Sequence, residues 1–236
     1  MCGRYSVATK KIPKEHRHAA RYTGIINDPH YNAAPSQTLP VVPNTNPNTA
    51  ALFSWGLLPA WATSHKINRP INARAETLTQ NSMFRTLIGR NRCLVLADGF
   101  YEWKRITHAQ NTLFDLPASP GKGKIIRQPY RFTLLNEDLF SFAGLWDEWV
   151  DKSTGEVLRT FTIITTEANK LVKEVHDRMP VIFTPEAEEL WLNNDEPVDA
   201  LLDLLKPYDA AAMKAYPISS LINSPQNNTP EVLNSL

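Results

Sequence analysis

The 236-residue chain is 42% hydrophobic and 21% charged, with 25 Lys and Arg against 24 Asp and Glu and a formal net charge of +1. That length buries about 70% of the unfolded surface without a disulfide scaffold, the composition excludes a disordered tail or a collagen-like fibre, and no apolar run approaches the roughly 18 residues of a membrane helix. The near-neutral mean hides a segregation: 14 Lys and Arg against 5 Asp and Glu through Arg105, then 11 against 19 from Ile106 onward. A basic first part of this kind suggests a positive surface that attracts phosphate, and the alternative is that the two parts neutralise each other within one domain.

In chain order, the first clear strand signal is Leu94 to Leu96, where apolar and β-branched residues follow Cys93. The segment from Thr107 to Gln128 combines Asn, Pro, Ser, Gly and Lys and reads as an exposed excursion between strands. Strands are predicted at Tyr130 to Leu134, Leu139 to Phe142 and Val157 to Thr165. Apolar positions 168, 171, 172 and 175 predict a helix over Ala168 to Val175, and Val181 to Phe183 predicts a further short strand. Thr184 and Pro185 supply an N-cap and first-turn residue for a helix through Leu192, and another helix is expected from Val198 to Leu205, ahead of Pro207. Strands dominate the centre and helices lie mainly toward the end, so the expected class is α+β, in a single domain over residues 1–236. There is no repeat at periods of about 20 to 50 residues.

The chain has two cysteines, Cys2 and Cys93. Cys2, Gly3, Arg4 and Tyr5 do not open a signal sequence, so the expected compartment is the reducing cytosol, where neither a disulfide nor a zinc site is expected from this pair. Cys93 is expected to be an inert core thiol. Cys2 differs because of its position. Removal of Met1 would leave an α-amine and a thiol on one residue, and such an aminothiol condenses with an aldehyde to a five-membered thiazolidine. An amine of ordinary pKa near 8 is appreciably uncharged at neutral pH, and the nearby Arg4 is expected to favour thiolate. The alternative is that Cys2 is a small residue starting a strand.

Several further clusters accompany that start. They are Asn72-Ala-Arg74-Ala-Glu76, preceded by Arg69 and Pro70 and followed by Met83-Phe-Arg85; Arg92 through Asp98-Gly-Phe-Tyr-Glu102-Trp103; and Thr165-Thr-Glu-Ala-Asn169 leading to His176-Asp-Arg178-Met-Pro180. With Tyr31-Asn32-Ala-Ala-Pro35 and Trp55-Gly-Leu-Leu-Pro59-Ala-Trp61, this order of motifs resembles the SOS-response-associated peptidase family, also called abasic-site processing proteins, over nearly the whole chain. The resemblance implies a compact α+β domain with a curved, mainly antiparallel, barrel-like sheet flanked by helices and a positive DNA channel. It also implies capture of the aldehyde of an abasic site in single-stranded DNA by the N-terminal cysteine, as a covalent thiazolidine.

By the same resemblance, Cys2 supplies both nucleophiles and Asn72 holds the opened sugar or the new ring. Glu102 moves protons, and His176 is a second acid/base group governing reversal of the crosslink or a strand-cleaving elimination. Arg4, Arg74, Arg85 and Arg178 are the expected phosphate contacts, with Lys66 and Arg69 extending the track. Asn32 falls in the same DNA-binding set. Trp55, Trp61 and the Pro35 loop are expected to stack on bases or wedge a junction, or else the tryptophans belong to the core. Glu76 is expected to position Arg74 as an ion-pair partner. The expected partner is single-stranded DNA with abasic sites, including single-strand/double-strand junctions. No cofactor, metal or membrane is expected, and the protein is expected to be a cytoplasmic monomer, nucleoid-associated if bacterial. One departure from the family pattern is the longer Thr107 to Gln128 segment. Three rivals remain: an N-terminal-nucleophile amidohydrolase, a cysteine peptidase with Cys2 and His176 as a dyad, and a noncovalent single-strand binding module.

Overall fold

The fold rests on strands rich in β-branched and aromatic residues, in a computed structural model that describes residues 2–9, 12, 28–108 and 124–236. The strands are β1 (Tyr5–Val7), β2 (His30–Ala33), β3 (Thr38–Pro43), β4 (Ala51–Trp55), β5 (Asn72–Arg74), β6 (Arg92–Ala97), β7 (Gly99–His108), β8 (Lys124–Leu134), β9 (Phe140–Val150), β10 (Val157–Glu167), β11 (Arg178–Pro180) and β12 (Met213–Pro217). Three short α-helices follow late in the chain: α1 (Lys170–Lys173), α2 (Pro185–Leu192) and α3 (Val198–Asp203).

Strands β4, β3, β6, β9 and β10 pair in that order, and β10 then pairs with β4, so the five strands close into a small barrel. All these pairings are antiparallel except the closing β10–β4 contact. Closure leaves no free edge among these five strands. It also brings chain segments close: a Cβ on Gly144 would stand 2.8 Å from Cys93 Sγ and 2.9 Å from Val95 Cγ2, so only glycine fits between β6 and β10. Gly56, just after β4, has φ +125°, a conformation that side-chain-bearing residues rarely adopt.

A second sheet has the order β12-β8-β7-β1-β2. The chain passes from barrel to sheet at Asp98, between β6 and β7. Aromatic rings join the layers: Tyr5 of β1 meets Trp55 edge-on at 5.2 Å and Phe142 at 5.7 Å, and Phe100 stacks on Phe132 at 4.9 Å while touching Phe142. The architecture is α+β, mostly antiparallel and barrel-containing.

The strands predicted at Leu94, Tyr130, Leu139 and Val157 are present but longer, because pairing on both sides extends each beyond its most apolar stretch. The predicted strand at Val181 to Phe183 is displaced: β11 ends at Pro180, and Ile182 makes only a single bridge, to Phe142. Helix α1 is one turn rather than the predicted span from Ala168 to Val175. Asn169 caps its start by accepting from Val172 N, and the chain turns into β11 soon after. α2 begins after Thr184, whose hydroxyl accepts from Ala187 N, and ends at Leu192 as expected; α3 ends two residues earlier than expected. The expected excursion from Thr107 to Gln128 is strand at both ends, with β7 and β8 paired as far as His108 and Lys124; its centre lies outside the described residues.

Candidate active site

β1, β7 and β5 bring residues to Cys2, and β11 is preceded by a histidine near Glu102 of β7. β1 lies between β2 and β7, and Tyr101 N donates to Arg4 O at 3.0 Å, so the residues preceding β1 run alongside Tyr101 and Glu102. The C-terminal end of β10 is flanked by β5 on one side and β11 on the other: Thr165 faces Arg74 in one pairing and Pro180 in the other. Asn72 therefore opens β5 in register with Ile163, and His176 stands two residues ahead of β11.

Asn72 Nδ2 donates to Cys2 O at 2.9 Å and to Ile71 O at 2.7 Å. Its Oδ1 is buried and accepts no hydrogen bond among the described residues. An amide so held fixes the backbone of residue 2 and keeps one acceptor available for a donor that arrives later. Cys2 is fully buried, with Sγ 3.7 Å from Arg4 O. Burial pushes its thiol above the ordinary value, and the nearby Glu102 charge adds to the rise. The expectation that Arg4 favours thiolate is therefore corrected. The Arg4 guanidinium is committed to Asn32 Oδ1 at 2.6 Å and Ile222 O at 2.8 Å, and burial with a carboxylate neighbour wins.

Glu102, 4% exposed, has its carboxyl raised by burial, with the charge of His176 opposing and that of Asp177 adding. Such a carboxyl can hold or release a proton closer to neutral pH than an ordinary glutamate. His176 Nδ1 lies 3.0 Å from Arg178 N and 2.9 Å from Asp177 Oδ1. One ring nitrogen cannot accept from the first and donate to the second at once, so the two contacts call for different placements of the ring proton. Glu102 and His176 line one open cleft of about 610 Å³, together with Trp103, Lys104, Arg105, Arg127, Glu174, Val175 and Asp177. Cys2, Asn72, Glu102 and His176 are thus brought into one neighbourhood by hydrogen bonding, mutual electrostatics or the shared cleft.

The residues expected to contact DNA divide. Arg74 and Arg85 are exposed and make no ion pair among the described residues, and Trp61 is 63% exposed. Pro35 is half-buried in the turn after β2. Trp55 is a correction: it is 1% exposed, its Nε1 donates to Ile71 O and its ring stacks on Phe161, so the core alternative applies and no base can reach its face. Asn32 is likewise buried, its amide donating to the carbonyls of Ile222, Ser224 and Asn227; with Arg4 it fastens the 3-10 turn Ser220–Asn223 to the second sheet. Arg178 makes a two-pronged pair with Glu76 at 2.8 and 2.9 Å and donates to Thr165 O at 2.7 Å. Glu76, expected to position Arg74, instead holds Arg178, which keeps the Glu76 carboxyl below its ordinary value.

Sequence reasoning passed over Lys104, Arg105 and Arg127 in the cleft. The sign of the first half was visible, but the hairpin pairing that sets Arg105 opposite Arg127 was not. Among the described residues no three or more His, Cys, Asp or Glu cluster as metal ligands, and no helix is long and apolar enough to cross a membrane.

The arrangement can be set against known proteins. An abasic site processing protein of Bacillus subtilis, YoqW, is 46% identical over 211 residues, covering 88% of this chain and 86% of that one. The abasic site processing protein HMCES of Xenopus tropicalis is 30% identical over 224 residues, covering 87% of this chain and 65% of its own. A crystal structure of a Bacteroides thetaiotaomicron protein superposes with a TM-score of 0.81 at 31% identity, covering 100% of both chains. The family profile described as SOS response associated peptidase (SRAP) matches residues 1–225, which span every element that builds the site. On this match, the chain belongs to the SRAP family.

Proposed function

We propose that this protein captures the ring-opened aldehyde of an abasic site in single-stranded DNA, through Cys2 once Met1 has been removed. The observation that carries the reading is the Asn72 amide, bonded to the Cys2 carbonyl at 2.9 Å while its own buried oxygen accepts no hydrogen bond among the described residues. Relatives named abasic site processing proteins support the substrate class.

The chemistry balances without an added reagent. The α-amine adds to the aldehyde carbon, the former carbonyl oxygen leaves as water, and an imine remains. The thiol sulfur then adds to the imine carbon, and its proton passes to nitrogen, closing the thiazolidine. Glu102 suits these steps because its carboxyl, raised by burial, can protonate the departing oxygen and accept a proton afterwards. Asn72 Oδ1 is available to accept a hydrogen bond from a sugar hydroxyl or the ring N–H. His176, in the cleft with Glu102, is the second proton carrier, acting in reversal or in elimination at the sugar.

The raised thiol pKa weighs against a peptidase dyad. A thiol kept protonated is a poor attacker of an amide, whereas it needs to react here only with an imine formed on its own residue. The test mixes protein of verified mass, lacking Met1, with an oligonucleotide containing one abasic site. A species stable on a denaturing gel is expected, absent with Cys2→Ala and absent when Met1 is retained. A crosslink of undiminished yield from either form would overturn the reading.

A further inference from the structure

The β7–β8 hairpin carries a like-charge pair that has no ion-pair partner among the described residues. Arg105 and Arg127 are Cα partners across the two antiparallel strands, beside Lys104 paired with Gln128. Side chains directly opposite in such a ladder have Cβ atoms about 5 Å apart, and equal charges there disfavour the pairing. Both arginines are exposed, and neither they nor Lys104 form an ion pair among the described residues. All three line the cleft that also holds Glu102 and His176.

We propose that Arg105 and Arg127 together form a seat for a phosphodiester of the DNA strand flanking the lesion. This rests on the reading of the site as an abasic-site trap and adds a strand-positioning element to it. Two guanidinium forks on facing strands offer parallel N–H donors to one anion, a geometry that a phosphate's several oxygens fill. The cleft's lining also includes the acidic Glu174 and Asp177 of the segment between α1 and β11. A polyanionic strand entering the cleft is drawn to the hairpin and repelled from that acidic segment. Its phosphates then face Arg105 and Arg127, and its sugars turn toward Glu102 and His176. The seat gives the longer hairpin a function: it guides an unpaired backbone into register with the acid/base pair and requires no base identity.

The test uses the full chain with Arg105→Gln, Arg127→Gln and the double variant, and two readouts. The first is equilibrium binding of an undamaged single-stranded oligonucleotide, which has no aldehyde, at salt from about 50 mM to about 1 M. Each phosphate contact on a single strand contributes about 0.7 to the slope of log affinity against log salt, so losing one should weaken binding about tenfold at 50 mM while leaving it equal near 1 M. The double variant should show this loss, Arg105→Lys should retain most of the slope, and thermal stability should be unchanged or raised because the repulsion is relieved. Equal slopes for wild type and the double variant would overturn the seat, as would a drop in melting temperature accounting for the lost binding. The second readout is crosslinking of the wild type to abasic DNA. Its failure with an arginine-dependent slope intact would remove the aldehyde trap and leave the phosphate seat standing, whereas normal crosslinking with an unchanged slope would remove the seat alone.

Discussion

Glu102 is the residue at which burial and chemistry meet most directly. Its carboxyl is raised above the ordinary 4.5, chiefly by burial. Between 4.5 and the raised value the native chain holds a proton that the unfolded chain has released. Stability therefore falls as pH rises through that window, and the whole penalty is present above it. Glu102→Gln cannot ionise, so it is expected to melt higher than wild type at neutral pH, with the advantage disappearing below about pH 4.5. The same variant is expected to slow crosslinking about 10²-fold, since a positioned proton carrier is lost. Thermal melts across pH and single-turnover gels check the two effects; a wild type more stable than the variant at neutral pH would show that burial does not dominate. Cys2 and Glu102 were both named from sequence as candidate site residues. The direction of the Cys2 shift was not legible there, because it depends first on burial, then on a carboxylate a hundred positions away, and on which atoms Arg4 faces.

Among the elements, β9 has the tightest packing constraint. Gly144 is paired with Cys93 of β6 and Ile163 of β10 at once, and an added methyl would meet Cys93 Sγ at 2.8 Å and Thr162 O at 3.2 Å. Gly144→Ala is expected to cost about 1 to 3 kcal/mol by overpacking. That corresponds to a loss of roughly 3 to 10 °C in Tm for a chain of this size, with partial recovery on adding Cys93→Ala. An unchanged melting temperature would mean that the barrel wall yields freely at this point. Cys93 was expected to be an inert core thiol; it is buried, with its pKa pushed up by burial. The strands at Leu94, Tyr130, Leu139 and Val157 were legible because each contains a stretch rich in apolar, β-branched or aromatic residues. The short strands β1, β2 and β5 were not, because three or four residues such as Asn72–Arg74 have no period of their own and become strand only by pairing with a neighbour.

Across the whole molecule, an ion pair fastens the crossing between barrel and second sheet. Asp98 accepts from Arg131 at 3.0 Å and from the backbone of Ala8 and Thr9 at 2.7 and 2.6 Å; Ser6 Oγ completes the set, and Arg131 reaches on to Tyr216 at 2.8 Å. Removing the carboxylate leaves a buried guanidinium without its counter-charge, so Asp98→Ala is expected to cost about 3 to 5 kcal/mol in urea unfolding. A cost below about 1 kcal/mol would show that water compensates Arg131. The basic excess of the first part of the chain is thereby partly consumed by the fold. Arg4 binds Asn32 and the Ser220–Asn223 turn. Arg92, 1% exposed, donates to the carbonyls of Ile88, Trp191 and Asn193, the last two at the end of α2. Arg74, Arg85 and the hairpin arginines remain outward.

The α+β class and the aminothiol latent in Cys2 were legible in the residues alone, and the candidacy of Asn72, Glu102 and His176 came from the family resemblance that the order of short motifs carries. The tertiary structure decided which of the equivalent-looking cations and aromatics face solvent. Trp55 and Trp61 stand six residues apart in one motif, yet one is sealed beneath the barrel strands and the other is exposed. Arg178 is held by Glu76 while Arg74, in the same short segment as Glu76, is left exposed. A guanidinium or an indole has the same intrinsic preferences wherever it occurs. Whether it binds phosphate, caps carbonyls or fills a core depends on the neighbours that strand pairing brings to it, and those neighbours are distant in the chain.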